Sequence, residues 1–373
     1  MTFAEILRQE EQARKEKVAR KLPSWAQVSG LEYPGKLCLE QCSSEKTALY
    51  KAALIEPGER VADLTGGLGV DSWAFAKRAS AVMHNEVNGP LSAAAERNFT
   101  RLGSRGISCT RYEIDPQDTR PWLRELEKFR PDRIYLDPSR RDSSGKKVFL
   151  LEDCSPDVLL LLPVLTPLTP DILLKLSPVM DISLLVSKIP GALHEMQIVC
   201  SGGEVKELLC ILGAPQGKEC TVKVVDLDCG ETFGFLRSQE KAAPACMCGP
   251  LEAFLVEPGA GLMKAGCFNL LCRKFAMSKL APSTHLYTAS QAPESRLFKS
   301  YEILCALPFG GAAIKQMRRD YPKAAVTARN LPLSSEQLRD KLEVEEGSSV
   351  HIFGCVAGKE KMLIACRIPG TSL

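Results

Sequence analysis

The sequence predicts an α/β fold, a doubly wound and mostly parallel sheet, followed by smaller α+β units. Three observations carry that expectation. The stretch Arg60-Val-Ala-Asp-Leu-Thr-Gly-Gly-Leu-Gly-Val-Asp71 reads as a buried strand, an acid at its end, a glycine-rich turn and a helix over 72–78. A second apolar strand over 134–136 ends in Asp137-Pro138. Around them, short apolar runs alternate with amphipathic segments, which is the pattern of strands joined by helical crossovers.

In chain order, residues 1–21 are dense in Glu, Lys and Arg and read as an exposed charged helix. A proline-containing loop runs through Trp25 and Tyr33. Ser43-Ser44-Glu45-Lys46 opens a helix through Leu54, with serine as its cap. Ser44 and Thr47 serve either that cap or a ligand. In the glycine turn, Gly66, Gly67 and Gly69 remove Cβ atoms where backbone bends sharply and a ligand lies close. Asp63 before the turn would repel a pyrophosphate but suits a cation such as the methionyl ammonium of S-adenosylmethionine. A dinucleotide fingerprint needs a third glycine at 72, where Ser72 stands, and no Walker loop occurs. The bland alternative is a turn whose glycines only shape the loop. Candidate donor contacts here are Asp63, Thr65, Gly66, Gly67 and Gly69.

Residues 81–86 form the second strand, with Glu86 at the spacing where a carboxylate holds two ribose hydroxyls. A helix over 90–102 returns the chain, its Asn98 a packing or capping residue. After a weaker strand over 107–112 come Glu113, Asp115 and Asp118, one of which meets the adenine amino group; Asp118 is the candidate carried forward. In an open α/β sheet the ligand crevice lies at the carboxyl ends of strands, so Asp137 points at the reactive centre. Pro138 stiffens that loop, and Arg140 and Arg141 suit phosphate or carboxylate recognition. The alternative for these arginines is a solvated loop. An apolar helix over 153–165 has Asp157 near its start. A fifth strand over 171–177 carries Lys175 and Ser177 at its exit, both candidate substrate contacts, and a helix over 178–194 returns. A hairpin of 196–200 and 205–212 around Ser201-Gly-Gly-Glu204 closes a seven-strand sheet.

The residues Asp-Leu-Thr-Gly-Gly-Leu-Gly (63–69), Asp-Pro-Ser-Arg-Arg (137–141) and Lys-Leu-Ser-Pro (175–178) resemble those of bacterial class I methyltransferases with a THUMP-like C-terminal domain. Lys21-Leu-Pro-Ser-Trp-Ala26, Glu40-Gln-Cys-Ser-Ser-Glu45 and Ala328-Arg-Asn-Leu-Pro332 are similar to that group too. The resemblance implies a Rossmann-like domain that binds S-adenosylmethionine, a ferredoxin-like domain after it, a THUMP-like end and an RNA substrate (tRNA or rRNA). It also implies that the helix after Ser44 lies across the donor crevice. Enzymes that methylate exocyclic amino groups present Asn/Asp-Pro-Pro-aromatic at the Asp137 position. Here Ser139 and Arg140 replace the second proline and the aromatic, so base stacking from this loop is absent, although an arginine plane substitutes in part. No cysteine lies in that loop, which disfavours a cysteine-nucleophile mechanism.

The expected domains are an arm and loop over 1–42, the methyltransferase-like sheet over 43–214, a ferredoxin-like unit over 215–295 and a THUMP-like unit over 296–373. The boundary near 214 rests on the turn residues Ala-Pro-Gln-Gly-Lys. Beyond it, 220–228 and 232–236 read as strands, 251–256 and 262–279 as helical, and 297–307, 324–328, 350–356 and 363–368 as strands, with a helix over 335–342. Lys315, Arg318, Arg319, Lys323 and Arg329 form a basic cluster with only Asp320 against it. Gly310 and Gly311 precede the cluster at a helix start, so amides and cations together suit a phosphate. The alternative is one solvated helix face.

Forty-eight Lys and Arg against 45 Asp and Glu leave a formal charge of +3, so any nucleic-acid footprint is local. Fifteen cysteines and four histidines form no matched pair of Cys-x-x-Cys motifs, which argues against a metal and for reduced thiols in a cytoplasmic protein. No signal peptide or membrane span is expected; residues 159–165 are too short to cross a bilayer. Two function classes compete: an S-adenosylmethionine-dependent methyltransferase acting on RNA, and a nucleic-acid-binding protein with a non-catalytic version of the same fold. A methyltransferase for a small molecule or protein is the third option.

Overall fold

The computed structural model describes residues 3–139, 151–152, 154–169 and 171–370. The chain divides into two compact units, residues 1–199 with 206–221, and residues 200–205 with 222–373.

Four helices lead the first unit: α1 (Phe3–Lys21), α2 (Pro23–Ala26), α3 (Gly35–Gln41) and α4 (Glu45–Ala53). Ser44 caps α4 by accepting from the Thr47 N–H at 3.2 Å, so cap duty explains it. Then come β1 (Arg60–Asp63), α5 (Val70–Phe75), β2 (Ala81–Asn85), α6 (Gly89–Arg101), β3 (Ile107–Thr110), α7 (Arg120–Phe129) and β4 (Arg133–Leu136). The unit closes with α8 (Val158–Leu165), β5 (Ile172–Leu176), α9 (Ile182–Lys188), β6 (Leu193–Ser201) and β7 (Glu204–Leu212). Its strands lie in the order β3-β2-β1-β4-β5-β7-β6. The first five are parallel, and β7 runs antiparallel to β5. The order reverses between β1 and β4, which opens a crevice at their carboxyl ends. All four residues of β4 are buried, as a strand covered on both faces requires.

Two helix boundaries and one whole helix depart most from expectation. α8 starts at Val158, not 153, because the Asp157 side chain accepts from the Leu159 and Leu160 N–H groups at 2.8 and 3.2 Å and caps it. The return helix α9 is short, since Asp181 caps it and β6 has begun by Leu193. The amphipathic helix α7, with Trp122 and Leu126 buried, went unread in the sequence.

The second unit holds β8 (Thr221–Asp226), β9 (Thr232–Leu236), α10 (Arg237–Ala242), β10 (Phe254–Pro258), α11 (Ala260–Ala265), α12 (Phe268–Phe275), β11 (Ser278–Lys279) and β12 (Tyr287–Ala289). Next come β13 (Phe298–Pro308), α13 (Gly311–Asp320), β14 (Ala325–Arg329), α14 (Ser335–Leu342), β15 (Val350–Ala357) and β16 (Glu360–Arg367). Its main sheet runs β11-β12-β10-β13-β16-β15-β14. Met317, Leu338, Leu342 and Ile352 pack in one cluster, and Leu255, Tyr301, Phe353 and Ile364 in another. β10 corrects the helix expected over 251–256. A short apolar run does not separate strand from helix by periodicity, and pairing with β12 and β13 on either side decides it. The helical run expected over 262–279 is two helices, because Gly266 ends α11 at φ 68 and β11 takes the last residues.

All fifteen cysteines are free thiols. Among the described residues no helix is long and apolar enough to cross a membrane, and no group of three or more His, Cys, Asp or Glu is placed to hold a metal ion.

Candidate functional site

The glycine turn after β1 is shaped from below. Asp63 is 1% exposed, and both its oxygens are engaged by the chain itself. The Thr65 N–H donates to Oδ1 at 3.1 Å, and the Ser72 hydroxyl donates to Oδ2 at 2.6 Å. This corrects the expectation of a carboxylate open to a ligand ammonium: Asp63 holds the turn. Burial pushes its carboxyl up to about 7 despite the Ser72 and Thr65 hydrogen bonds. His84 Nδ1 lies 2.9 Å from the same Ser72 oxygen. Because that hydroxyl proton goes to Asp63, the imidazole donates here from Nδ1; burial lowers His84 to about 4 and keeps it neutral.

Two of the three glycines are required by side chains rather than by a ligand. A Cβ on Gly66 would stand 2.1 Å from His84 Cε1, and one on Gly69 would stand 2.4 Å from Phe99 Cζ. Gly67 differs. A Cβ there meets nothing within 4 Å, and its N–H donates to Glu86 Oε2 at 2.8 Å.

Glu86 follows the last residue of β2. Besides Gly67, the Asn88 N–H donates to its Oε1 at 2.7 Å, so two backbone amides fix the carboxylate at the mouth of the crevice. Asn85 beside it is 3% exposed and ties three strand ends together. Its amide donates to the Leu64 and Tyr112 carbonyls at 3.3 and 2.9 Å. Asp118 stands apart from this order, 57% exposed, with Arg120 at 3.5 Å. Asp115 is occupied locally, accepting from the Gln117 N–H at 2.8 Å. Asn98, fully buried, brackets the Glu32 backbone, accepting from its N–H and donating to its carbonyl, both at 2.8 Å.

Across the crevice, the Asp137 N–H donates to Thr65 Oγ1 at 2.6 Å, which joins the donor turn to the loop after β4. The Asp137 carboxylate, 31% exposed, pairs with Lys175, whose side chain is 13% exposed. The two sequence candidates are thus one ion pair rather than separate contacts. Burial works against the Lys175 charge, but Asp137, Glu207 and Asp71 more than offset it and hold the ammonium above its ordinary range. Pro138 is buried, and Ser139 makes a two-way backbone bridge with Ser155 at 2.8 and 2.9 Å. Ser177 is 6% exposed. Arg140 and Arg141 lie outside the described residues.

Beneath the crevice is a charged cluster that sequence reasoning missed. Lys51 of α4 is fully buried, 3.0 Å from Asp71 Oδ1 and 3.2 Å from Glu207 Oε2, and it donates to the Ser43 hydroxyl at 2.7 Å. Ser43 and Tyr135 donate to Asp71 Oδ2 at 2.7 and 2.9 Å. The second oxygen of Glu207 has no hydrogen-bond partner among the described residues, and burial raises its pKa. Counting Asp137, Asp71 and Glu207 against Lys51 and Lys175, three carboxyl groups face two ammonium groups. The only sequence signal was acid and base inside otherwise apolar segments.

In the second unit the expected basic cluster is charge-balanced. Arg318 meets Glu343 at 2.8 Å, Arg319 meets Asp320 at 2.8 Å, Lys323 meets Glu345 at 3.2 Å, and Arg329 meets Glu257 at 2.5 Å. This corrects the reading of Asp320 as the single opposing acid, because three of the carboxylates come from distant segments. Arg318 and Arg319 also sit in the last turn of α13, about 12–14 Å from its Gly310 end. A joint grip by that helix start and these arginines is therefore not assembled; Lys315 is closer to the start.

A ferredoxin-like domain family matches residues 254–303, and a THUMP domain-like family matches residues 298–368. Among solved structures, the chain is similar to one titled a "putative methyltransferase" from Porphyromonas gingivalis W83. Identity is 30% over 95% of this chain and 88% of that one, with a TM-score of 0.87. TrmN from Thermus thermophilus shows 21% identity over 53% of each chain at a TM-score of 0.34. An rRNA methylase from Streptococcus thermophilus shows 12% identity over 46% of this chain and 94% of that one, at 0.32. The last two likenesses are too low to carry an argument. No curated protein matches the chain.

Proposed function

From a chain that belongs to the bacterial class I methyltransferase family with ferredoxin-like and THUMP-like C-terminal domains, we infer an enzyme that transfers a methyl group from S-adenosylmethionine to RNA. The observation that carries this reading is Glu86, fixed by the Gly67 and Asn88 N–H groups beside the one loop glycine with open space around it. A carboxylate held that way at the end of the second strand suits a vicinal ribose diol. The charge around the crevice agrees. Three carboxyl groups against two lysines favour a donor with net positive charge.

The residues fit the donor as follows. Glu86 takes the ribose, the Gly67 backbone lies against the nucleoside, and Asp63 supports the turn through Thr65 and Ser72. Asp118 is the adenine candidate. Bound S-adenosylmethionine supplies an electrophilic methyl on its sulfonium. The protein's share is chiefly alignment. Asp137, oriented by its ion pair with Lys175, stands where an acceptor enters and takes its proton when the acceptor carries one. Pro138, with Arg140 and Arg141 beyond it, completes the acceptor side. The match to a THUMP domain-like family over 298–368 supports RNA as the substrate class.

Calorimetry with S-adenosylhomocysteine tests the donor site. Glu86→Ala should weaken binding about 10- to 100-fold, the worth of hydrogen bonds to a charged group, whereas equal affinity removes Glu86 from the site. Asp137→Asn should keep that binding and lose transfer to RNA, read as modified nucleosides by mass spectrometry. Undiminished transfer would end its assigned role.

A further inference from the structure

A cleft of about 700 Å³ opens at the other end of β1, lined by Arg60, Arg124, Glu127, Lys128 and Arg130. We propose that it takes the phosphate backbone of RNA, as a second anchoring site away from the donor crevice. The choice of RNA over an acidic protein segment rests on the function proposed above; the anion-binding chemistry does not.

The cleft follows from the sequence. On α7, Arg124 and Lys128 are four residues apart and Glu127 is three from Arg124, so all three share a helix face. Arg130 ends that helix in the left-handed region at φ 51. Arg60 is the first residue of β1, so the cleft lies at the amino ends of the strands whose carboxyl ends carry Asp63 and Asp137.

The charges are unevenly spent. Lys128 pairs with Glu125 at 2.6 Å, and Glu127 is the one acid in the lining. Arg124 and Arg130 are exposed and have no carboxylate partner among the described residues. Arg60 is pre-positioned: its Nε donates to the Phe129 carbonyl at 2.7 Å, and its guanidinium carbon lies 4.7 Å from the Phe129 ring centroid. A guanidinium already held loses less freedom on meeting an anion, and its planar fork matches a phosphate. Several separated cations in one open cleft suit a chain of single charges better than one compact anion. The contrast with α13 is direct, since there four of the five cations already have carboxylates.

The test uses the full chain with the double variant Arg124→Gln/Arg130→Asn. Asparagine is well tolerated at positive φ, so folding is preserved. The probe is a fluorescent single-stranded RNA of about twenty nucleotides, longer than the about 4–16 that a single-strand groove covers. Losing two phosphate contacts should weaken binding about tenfold at about 0.1 M salt and flatten the log–log salt slope by about 1.4. Adenosylhomocysteine binding should not change. An unaltered affinity and slope overturn the cleft while leaving the methyltransferase reading standing. Wild-type chain that takes up adenosylhomocysteine but holds no RNA, and instead binds a poly-glutamate peptide through the cleft, overturns the RNA assignment here and above. RNA held through the cleft by a chain that ignores adenosylhomocysteine supports the cleft and ends the donor reading.

Discussion

Asp63 joins sequence, burial and acidity in one side chain. Its strand-end position was legible, because an acid before a glycine turn is a local pattern. Its occupation was not, because Ser72 and Thr65 reach it only once the turn is folded. An acid whose folded pKa is raised to about 7 binds a proton in the native state that the unfolded state has released. Stability from this group is therefore present below about pH 4 and is lost as pH rises toward 7. Asp63→Asn should flatten that decline, read by thermal melting between about pH 5 and 8. A cationic donor favours the ionised carboxyl, so S-adenosylmethionine should bind wild type more tightly above pH 7 than below, and the asparagine variant should lose the difference. Lys51 sits deeper. Replacing it with methionine leaves Asp71 and Glu207 buried beside each other without their ammonium, which costs about 3–5 kcal/mol in such pairs. Denaturant unfolding should show that loss, and Lys51→Met/Glu207→Leu should recover much of it. An unchanged midpoint in the single variant would mean that the pair carries no stability. Charged residues inside apolar segments were the one local sign of this cluster, and their pairing was not legible because its members come from α4, α5, β4 and β7.

Among elements, the glycine turn is the most exacting. Gly66 is fixed by the His84 ring, so Gly66→Ala must displace either the imidazole or the turn. The expected cost is about 1–3 kcal/mol, typical of overpacking, together with weakened adenosylhomocysteine binding. Adding His84→Ala should restore part of both; a double variant no better than the single one would show that the ring does not set the height of the turn. The strands and helices of the parallel sheet were legible because period and capping agree along most of that unit. Failures have specific causes. β10 is too short and apolar for periodicity to classify. α8 starts at Val158 rather than at 153 because Asp157, read only as lying near the start, is its cap. The pairing of Asp137 with Lys175 joins adjacent parallel strands 38 residues apart, a link that only the sheet order creates.

Over the whole molecule, a net charge of +3 hides strong local differences. The α13 region, which reads as basic in sequence, is neutralised by Glu257, Glu343 and Glu345 from elsewhere in the chain. The α7 cleft, silent in sequence because its members alternate with acids, retains guanidinium groups that have no carboxylate partner among the described residues. Charge runs read along a chain count only neighbours, whereas folding brings in partners from far away. β1 runs from Arg60 to Asp63, three residue steps, so its two ends are about 10 Å apart. At a spacing of about 3.4 Å per phosphate along a stacked strand, that gap spans roughly three phosphates. On the anchoring and methyl transfer proposed above, β1 works as a ruler. Acceptors shorter than that span cannot be tethered and methylated at once, and they should turn over with a higher KM than longer ones.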